Sequence, residues 1–379
     1  MKFRTATLES LGIIHTGSTP PTSVESFWGG ELPFVTPAEL NQREPIQVTP
    51  RTLTESGAAL ARVLKKDAVL VCCIGSLGKI GLAGRSLATN QQINAIEFDE
   101  KLVFPKYGFY ACQRLKPKLA AIAPATTVPI VNKSRFGQLE IPLPPLPEQR
   151  RIAAILDKAD ALRHKRCDAL AQLDCLAQSI FVEMVGEPTV NPNGWPRRAL
   201  KELGKVTTGG TPPSSKEGMF GGDIPFVTPG DLESRQPIKR WLTEAGAQEV
   251  GTVRAGATLV CCIGATIGKM GMAQARSSFN QQLNAVEWYP ELVDDRFGLA
   301  VLQFFKPTIA MLGASTTLPI LKKSSFEKLS IPVPPRSLQE DLAKRLAQVE
   351  QLEETQQEAL QASAALFESL QCGAFQGAL

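Results

Sequence analysis

The 379 residues are 43% hydrophobic and 21% charged, the balance of a folded protein with material for about two domains. No apolar run is long enough for a membrane helix, and the opening MKFRTATLESLG lacks a signal-peptide pattern, so a cytoplasmic chain is expected. A net charge of +4 permits nucleic-acid contact without arguing for it.

In chain order, the first blocks are LPFVTPAEL (Leu32–Leu40) and the apolar strand AVLVCCIG, which ends in the glycine turn Gly75-Ser76-Leu77-Gly78-Lys79. NQQINAIE (Asn90–Glu97), TTVPIVNKSRF (Thr126–Phe136) and the stiff proline segment IPLPPLP follow. From Pro147 to Met184 there is no glycine and no second proline. Ile152, Ile155, Ala159, Leu162, Ala169, Leu173, Leu176 and Ile180 alternate by three and four, broken at Arg166. That is the seam of a long helix packed on another helix.

The same blocks then return. IPFVTPGDL (Ile224–Leu232) repeats the first at an offset of 192, LVCCIG recurs at Leu259–Gly264, and NQQLNAVE at Asn280–Glu287 is offset by 190. TTLPILKKSSF (Thr316–Phe326) and IPVPPR complete the second copy. Another helix begins at Ser337, where Ser337-Leu338-Gln339-Glu340 reads as a capping box. It carries Leu342, Leu346, Val349, Leu360, Phe367 and Leu370. Each helix is expected to run about 35 residues, on the order of 50 Å. The copies differ in length by three residues between Ile46 and Leu53, and by one where GSLGK becomes GATIGK, which marks surface loops.

One domain-sized unit is therefore used twice, and its segments are 1–146, 147–190, 191–336 and 337–379. Chain order domain, helix, domain, helix makes an antiparallel helix pair with a pseudo-two-fold axis the natural arrangement. A duplicated binding unit fits a two-part target, and paired half-sites on DNA share that symmetry.

Few motifs point to chemistry. Cys72-Cys73 and Cys261-Cys262 lie inside apolar strands and lack C-x-x-C spacing; with only two histidines, His15 and His164, buried reduced cysteines are expected and no metal site. The glycine turns ending in Lys79 and Lys269 fail the spacing of a nucleotide-binding P-loop, and Ile80 or Met270 stands where Ser/Thr is required. Each lysine could instead reach a DNA phosphate. Asn191-Pro192-Asn193-Gly194 lacks the second proline and aromatic residue of an amino-methyltransferase motif, and no hydrolase or metalloprotease signature occurs.

The amides of Gln91, Gln92 and Asn94, and of Gln281, Gln282 and Asn284, suit bidentate contact with adenine. They equally suit a framework role that holds a loop. Thr126, Thr127 and Lys133, with Thr316, Thr317 and Lys323, divide between phosphate contact and a plain turn. The variable segments Gln42–Leu53 and Glu233–Leu242 carry Arg43 on one side and Arg235, Lys239 and Arg240 on the other, candidates for reading different bases.

IPLPPLPEQRRIAAILDKADALR (Ile141–Arg163) closely resembles the junction of recognition domain and spacer helix in specificity subunits of type I restriction–modification systems. The NQQxNA and TTxPIxxKSxF…IPxPP blocks are similar to that family's target-recognition domains, and the resemblance covers nearly the whole chain. Pro335-Arg336-Ser337-Leu338-Gln339-Glu340 departs from it.

The resemblance implies a mixed α/β (α+β) fold. Two target-recognition domains with mixed sheets would be separated by two helices in an antiparallel coiled coil. It implies a bipartite double-stranded DNA target, two modification (methyltransferase) subunits as partners, and restriction subunits for translocation and cleavage. This chain would hold no cofactor; S-adenosylmethionine, ATP and Mg would belong to the partners. The alternatives are an enzyme with a hidden site, a protein-binding coiled-coil scaffold, and the recognition subunit of another class of methyltransferase or restriction system.

Overall fold

A computed structural model describes residues 3–42, 44–123, 128–213, 215–234, 237–313 and 319–378. The chain falls into two compact units, Met1–Asp168 with Gln357–Leu379, and Ala169–Gln356. Among the described residues no helix is long and apolar enough to cross a membrane.

The first unit opens with β1 (Thr5–Thr7), α1 (Leu8–Leu11), β2 (Gly12–Thr16), β3 (Trp28–Val35), β4 (Thr52–Leu53), α2 (Glu55–Leu60) and β5 (Val63–Leu64). It continues with β6 (Val69–Cys72), β7 (Ile80–Leu82), β8 (Leu87–Thr89) and β9 (Ile93–Phe98). Then come α3 (Pro105–Gln113), α4 (Lys116–Ile122), α5 (Lys133–Gly137), β10 (Glu140–Pro142) and the long α6 (Leu146–Val185).

Two four-stranded sheets form, in the orders β2-β9-β6-β7 and β4-β3-β8-β5. The first is antiparallel throughout; in the second, β3 and β8 run parallel. A short ribbon pairs β1 with β10 and closes the domain's ends, Ala6 opposite Ile141.

Every residue of β6 is buried, which explains why its sequence is a continuous apolar run without alternation. Successive side chains point to opposite faces, so Cys72 enters one core cluster and Cys73 the other. A bulge in β3 sets both Trp28 and Leu32 opposite Leu53. It is made by Gly29, in the left-handed region at φ +85°, and by Gly30, where a Cβ would lie 2.4 Å from the Leu53 carbonyl oxygen.

The second unit repeats this plan. Its elements are β11 (Arg197–Ala199), α7 (Leu200–Leu203), β12 (Gly204–Thr208), β13 (Phe220–Val227), β14 (Trp241–Leu242), α8 (Glu244–Val250) and β15 (Thr258–Cys261). After these lie β16 (Met270–Met272), β17 (Ser278–Phe279), β18 (Leu283–Trp288), α9 (Asp295–Phe304), α10 (Lys306–Gly313), α11 (Lys323–Phe326), β19 (Ser330–Pro332) and α12 (Arg336–Gln376). The order β12-β18-β15-β16 matches the first unit, while the other sheet has three strands, β14-β13-β17. Where β5 would pair, only a single bridge joins Val253 to Ser277.

The helices have 40 and 41 residues, or roughly 60 Å each at 1.5 Å per residue. The compact units cut across both, because each globular copy takes helix ends into its own core. In the first unit Ile152, Ala153, Leu156 and Ala159 of α6 share a cluster with Phe367, Ala374 and Phe375 of α12. In the second, Phe181 and Val185 share one with Leu342 and Leu346. Each unit thus joins the start of one long helix to the distal end of the other.

Of the seam expected from spacing, Ile152 and Ala159 are buried and Ile180 packs on a core, while other positions depart from it. Leu162 and Leu176 are 40% and 44% exposed, whereas Leu156 and Phe181 are buried. At each helix end the buried face packs in one cluster with the globular copy and the other long helix.

The capping box is also corrected. The second long helix begins at Arg336, and in its first turn the N–H groups of Leu338 and Gln339 donate to the Pro335 carbonyl at 3.0 and 3.2 Å. Glu340 faces Arg336 at 3.6 Å. Helix entry is instead organised by a buried glutamine. Gln339 Oε1 accepts the Asp294 N–H (2.9 Å), and Nε2 donates to the carbonyls of Leu292 (3.0 Å) and Pro334 (2.9 Å). Gln149 does the same for α6 with Phe104 N–H, Leu102 O and Pro144 O.

Candidate nucleic-acid interface

In each copy loops converge at one end of the antiparallel sheet that carries the paired-cysteine strand, β6 or β15. In the first copy the Gly75 N–H donates to the Pro129 carbonyl (3.0 Å), Val131 N–H to Cys73 O (2.8 Å), and Cys73 N–H to Gln92 O (2.8 Å). Ser18 N–H donates to Thr89 O (2.9 Å), and Asn41 N–H to Ile80 O (2.6 Å). The second copy repeats the first three with Gly264–Pro319, Leu321–Cys262 and Cys262–Gln282. Backbone bonds between strand ends and loops thus hold the same platform twice.

Within it the predicted amides separate into two kinds. Asn94 and Asn284 are 3% exposed. Their Oδ1 atoms accept from the hydroxyls of Thr16 (2.7 Å) and Thr208 (2.6 Å), and Asn94 Nδ2 donates to Val131 O (3.4 Å). They lie too deep to touch a base and act as framework. Gln92 and Gln282 are half-buried and accept from Asn90 Nδ2 (2.9 Å) and Asn280 Nδ2 (3.0 Å) across a tight turn. Only Gln91 and Gln281 stand exposed at the turn tips.

The basic candidates also differ. Lys79 is half-buried, and its Nζ donates to the Pro37 carbonyl at 3.2 Å, so it ties two loops together. Lys269 is half-buried beside Gly268. Lys133 is the exposed first residue of α5, after Asn132, whose Oδ1 caps the Arg135 N–H at 2.9 Å. Lys323 is exposed and lies 3.4 Å from Glu327.

In the variable segments Lys239 is exposed. The Arg240 guanidinium lies over the rings of Phe220 and Phe226 at 5.2 and 5.1 Å. Arg51 matches it in the first copy, 3.8 Å over Trp28, so this arginine is a framework feature more than a variable reader. Arg43, Arg235, Thr126, Thr127, Thr316 and Thr317 lie outside the described residues.

Two lysines escaped the sequence reading. The stem of Lys116 lies on the glycine turn, 2.6 Å from where a Cβ on Gly78 would stand; Lys306 holds that place beside Gly268. A Lys-Pro pair recurs at both positions at the repeat offset, the signal that could have found them. Lys306 is ion-paired to Glu233 at 2.6 Å. At Glu233 the first copy has Asn41, which accepts the Ile80 N–H at 2.9 Å, and Lys116 is exposed.

Positive charge also registers on His15, one residue before the loop end of β2. Burial lowers its pKa below 6.5, with Arg62 and Lys133 acting in the same direction against Glu97. Cys73, Cys112 and Cys262 offer no nucleophile, since burial pushes their thiols up to about 12. Among the described residues no group of three or more His, Cys, Asp or Glu gathers as a metal site. The arrangement can donate hydrogen bonds and present positive charge.

The profile described as "Type I restriction modification DNA specificity domain" matches residues 2–172 and again 192–362. The Type I restriction enzyme MjaIX specificity subunit of Methanocaldococcus jannaschii is 27% identical over 240 residues, 58% of this chain and 56% of that protein. The HindI specificity subunit of Haemophilus influenzae is 28% identical over 201 residues, 48% of this chain and 42% of that one. The chain spans about half the length of the curated relatives it matches.

Among solved structures, the S subunit of a type I restriction–modification system from M. genitalium aligns with a TM-score of 0.62 at 16% identity, covering 99% of this chain and 96% of its own. A chain solved in work on complex assembly and conformational transition of the type I R-M system aligns at 0.59 and 20% identity, covering 100% and 98%. These last likenesses establish the fold. With its domain profile matched twice, over most of its length, the chain belongs to the type I restriction modification DNA specificity domain family.

Proposed function

We propose that this chain is the DNA-recognition subunit of a type I restriction–modification assembly, each globular copy binding one half of a bipartite target. The observation that carries the reading is the loop platform built twice on one domain-sized repeat, in a chain of this family. Sequence-independent grip falls to exposed lysines such as Lys116, Lys133 and Lys239. Methyl transfer from S-adenosylmethionine belongs to two modification subunits; ATP- and Mg-dependent translocation and cleavage belong to restriction subunits. The assembly acts in the cytoplasm, where it meets the cell's DNA.

The test is an exchange of segment 191–336 for the corresponding domain of a relative with a different target, followed by mapping of methylated sites in cells that co-express a modification subunit. One half of the methylated motif changes and the other stays. Change in both halves, or in neither, would refute the division of labour.

A further inference from the structure

The exposed glutamine at the tip of each Asn-Gln-Gln turn does not present both ends of its amide. Gln91 lies in the turn closed by the Ile93 N–H donating to Asn90 O (3.2 Å), and Gln281 in the one closed by Leu283 N–H and Asn280 O (3.1 Å). From a separate loop, the Thr19 hydroxyl donates to Gln91 Oε1 at 2.6 Å. The Thr211 hydroxyl donates to Gln281 Oε1, also at 2.6 Å. The neighbouring amides are occupied with one another, Asn90 with Gln92 and Asn280 with Gln282. In both copies the amide is turned the same way, its carbonyl end toward the threonine hydroxyl. The outward end is Nε2, with two N–H donors.

We infer that Gln91 and Gln281 are donor-only contacts to phosphate oxygens of the DNA backbone, and that Thr19 and Thr211 are the positioning residues that hold them so. This rests on the DNA-recognition reading above. Two arguments favour phosphate over base. Bidentate recognition of adenine requires the amide oxygen as an acceptor beside the nitrogen donor, and here the oxygen is turned to the threonine. The geometry is also the same in both copies, which suits the part of DNA that every half-site shares. A base-reading contact has reason to differ between copies. A neutral amide displaces no counterion, so this contact adds a directed hydrogen bond without adding to the salt dependence of binding.

The experiment uses the full chain with a co-expressed modification subunit and a random-sequence duplex, with affinity measured across a salt series. Gln91→Ala and Thr19→Val each weaken binding roughly 2- to 10-fold, the range of one hydrogen bond, and leave the slope of log affinity against log salt unchanged. Thr19→Ser, which keeps the hydroxyl, restores wild-type affinity, and Gln281→Ala and Thr211→Val repeat the pattern. The methylated motif in cells stays the same.

A motif relaxed at one position by Gln91→Ala would make this a base contact and overturn the inference. So would an unaffected Thr19→Val protein, or an affinity loss accompanied by a lowered melting temperature that serine does not correct. A wild-type assembly that binds no duplex at any salt is a different failure, that of the DNA-recognition reading itself.

Discussion

The side-chain oxygen of Gln149 accepts the backbone N–H of Phe104 at 2.8 Å, which ties the first turn of α6 to the loop ahead of α3. Gln149 is fully buried, and so is its counterpart Gln339. Each satisfies three backbone groups, and its bond to the Pro144 or Pro334 carbonyl is buried. Gln149→Leu leaves them without partners, at about 1–3 kcal/mol for a buried group so stranded. Urea denaturation should show that loss for Gln149→Leu and again for Gln339→Leu, whereas Gln351→Leu, on the exposed face of α12, should change stability by under about 0.5 kcal/mol.

Thiol reactivity should divide the eight cysteines. Cys167, Cys175 and Cys372 are exposed, and the other five are buried. Near pH 8 the native protein should react rapidly with a maleimide at those three, since Cys73, Cys112 and Cys262 titrate only at about 12. Peptide mapping before and after unfolding checks it. Rapid native labelling at Cys73 or Cys262 would contradict the buried-strand placement.

His15 gives the first copy a pH dependence. Its folded-state pKa lies below the unfolded value of 6.5. Between those two values the unfolded chain binds more protons, so stability rises with pH there. The contribution is complete above 6.5 and is lost as pH falls through 6.5 toward the folded pKa. The second copy carries Thr207 at the matching position. His15→Thr should therefore flatten the rise in melting temperature between acidic and neutral pH; an unchanged profile would remove His15 as its source.

Lys116 and Lys306 should contribute unequally to DNA binding. Lys306 is paired with Glu233, and Lys116 is exposed where the first copy has Asn41 in place of that carboxylate. Lys116→Ala should lower the salt slope by about 0.9, the value of one phosphate contact, and Lys306→Ala should scarcely alter it. Glu233→Gln should free Lys306 and steepen the slope. Equal effects of the two alanine variants in salt-dependent binding would show that the ion pair does not govern the contact.

The amino-acid sequence by itself determined the duplicated domain, the two long helices and the buried strands that carry paired cysteines. Each of these is written in a local or periodic pattern: a repeat offset, a spacing of three and four, an unbroken apolar run. Only the tertiary structure decided the face on which each helix is buried, because at each helix end that face packs in one cluster with the globular copy and the other long helix. That is why Leu162 is exposed and Leu156 is not. The same is true of the site. Asn94 and Gln91 stand three residues apart in one motif, yet one is buried under Thr16 and the other is turned outward by Thr19. Lys79 reads as a free cation until the Pro37 carbonyl, far away in sequence, is placed against it. Residue type and spacing show which groups are able to bind. Whether a group remains available depends on contacts between distant segments, and these exist only once the chain has folded.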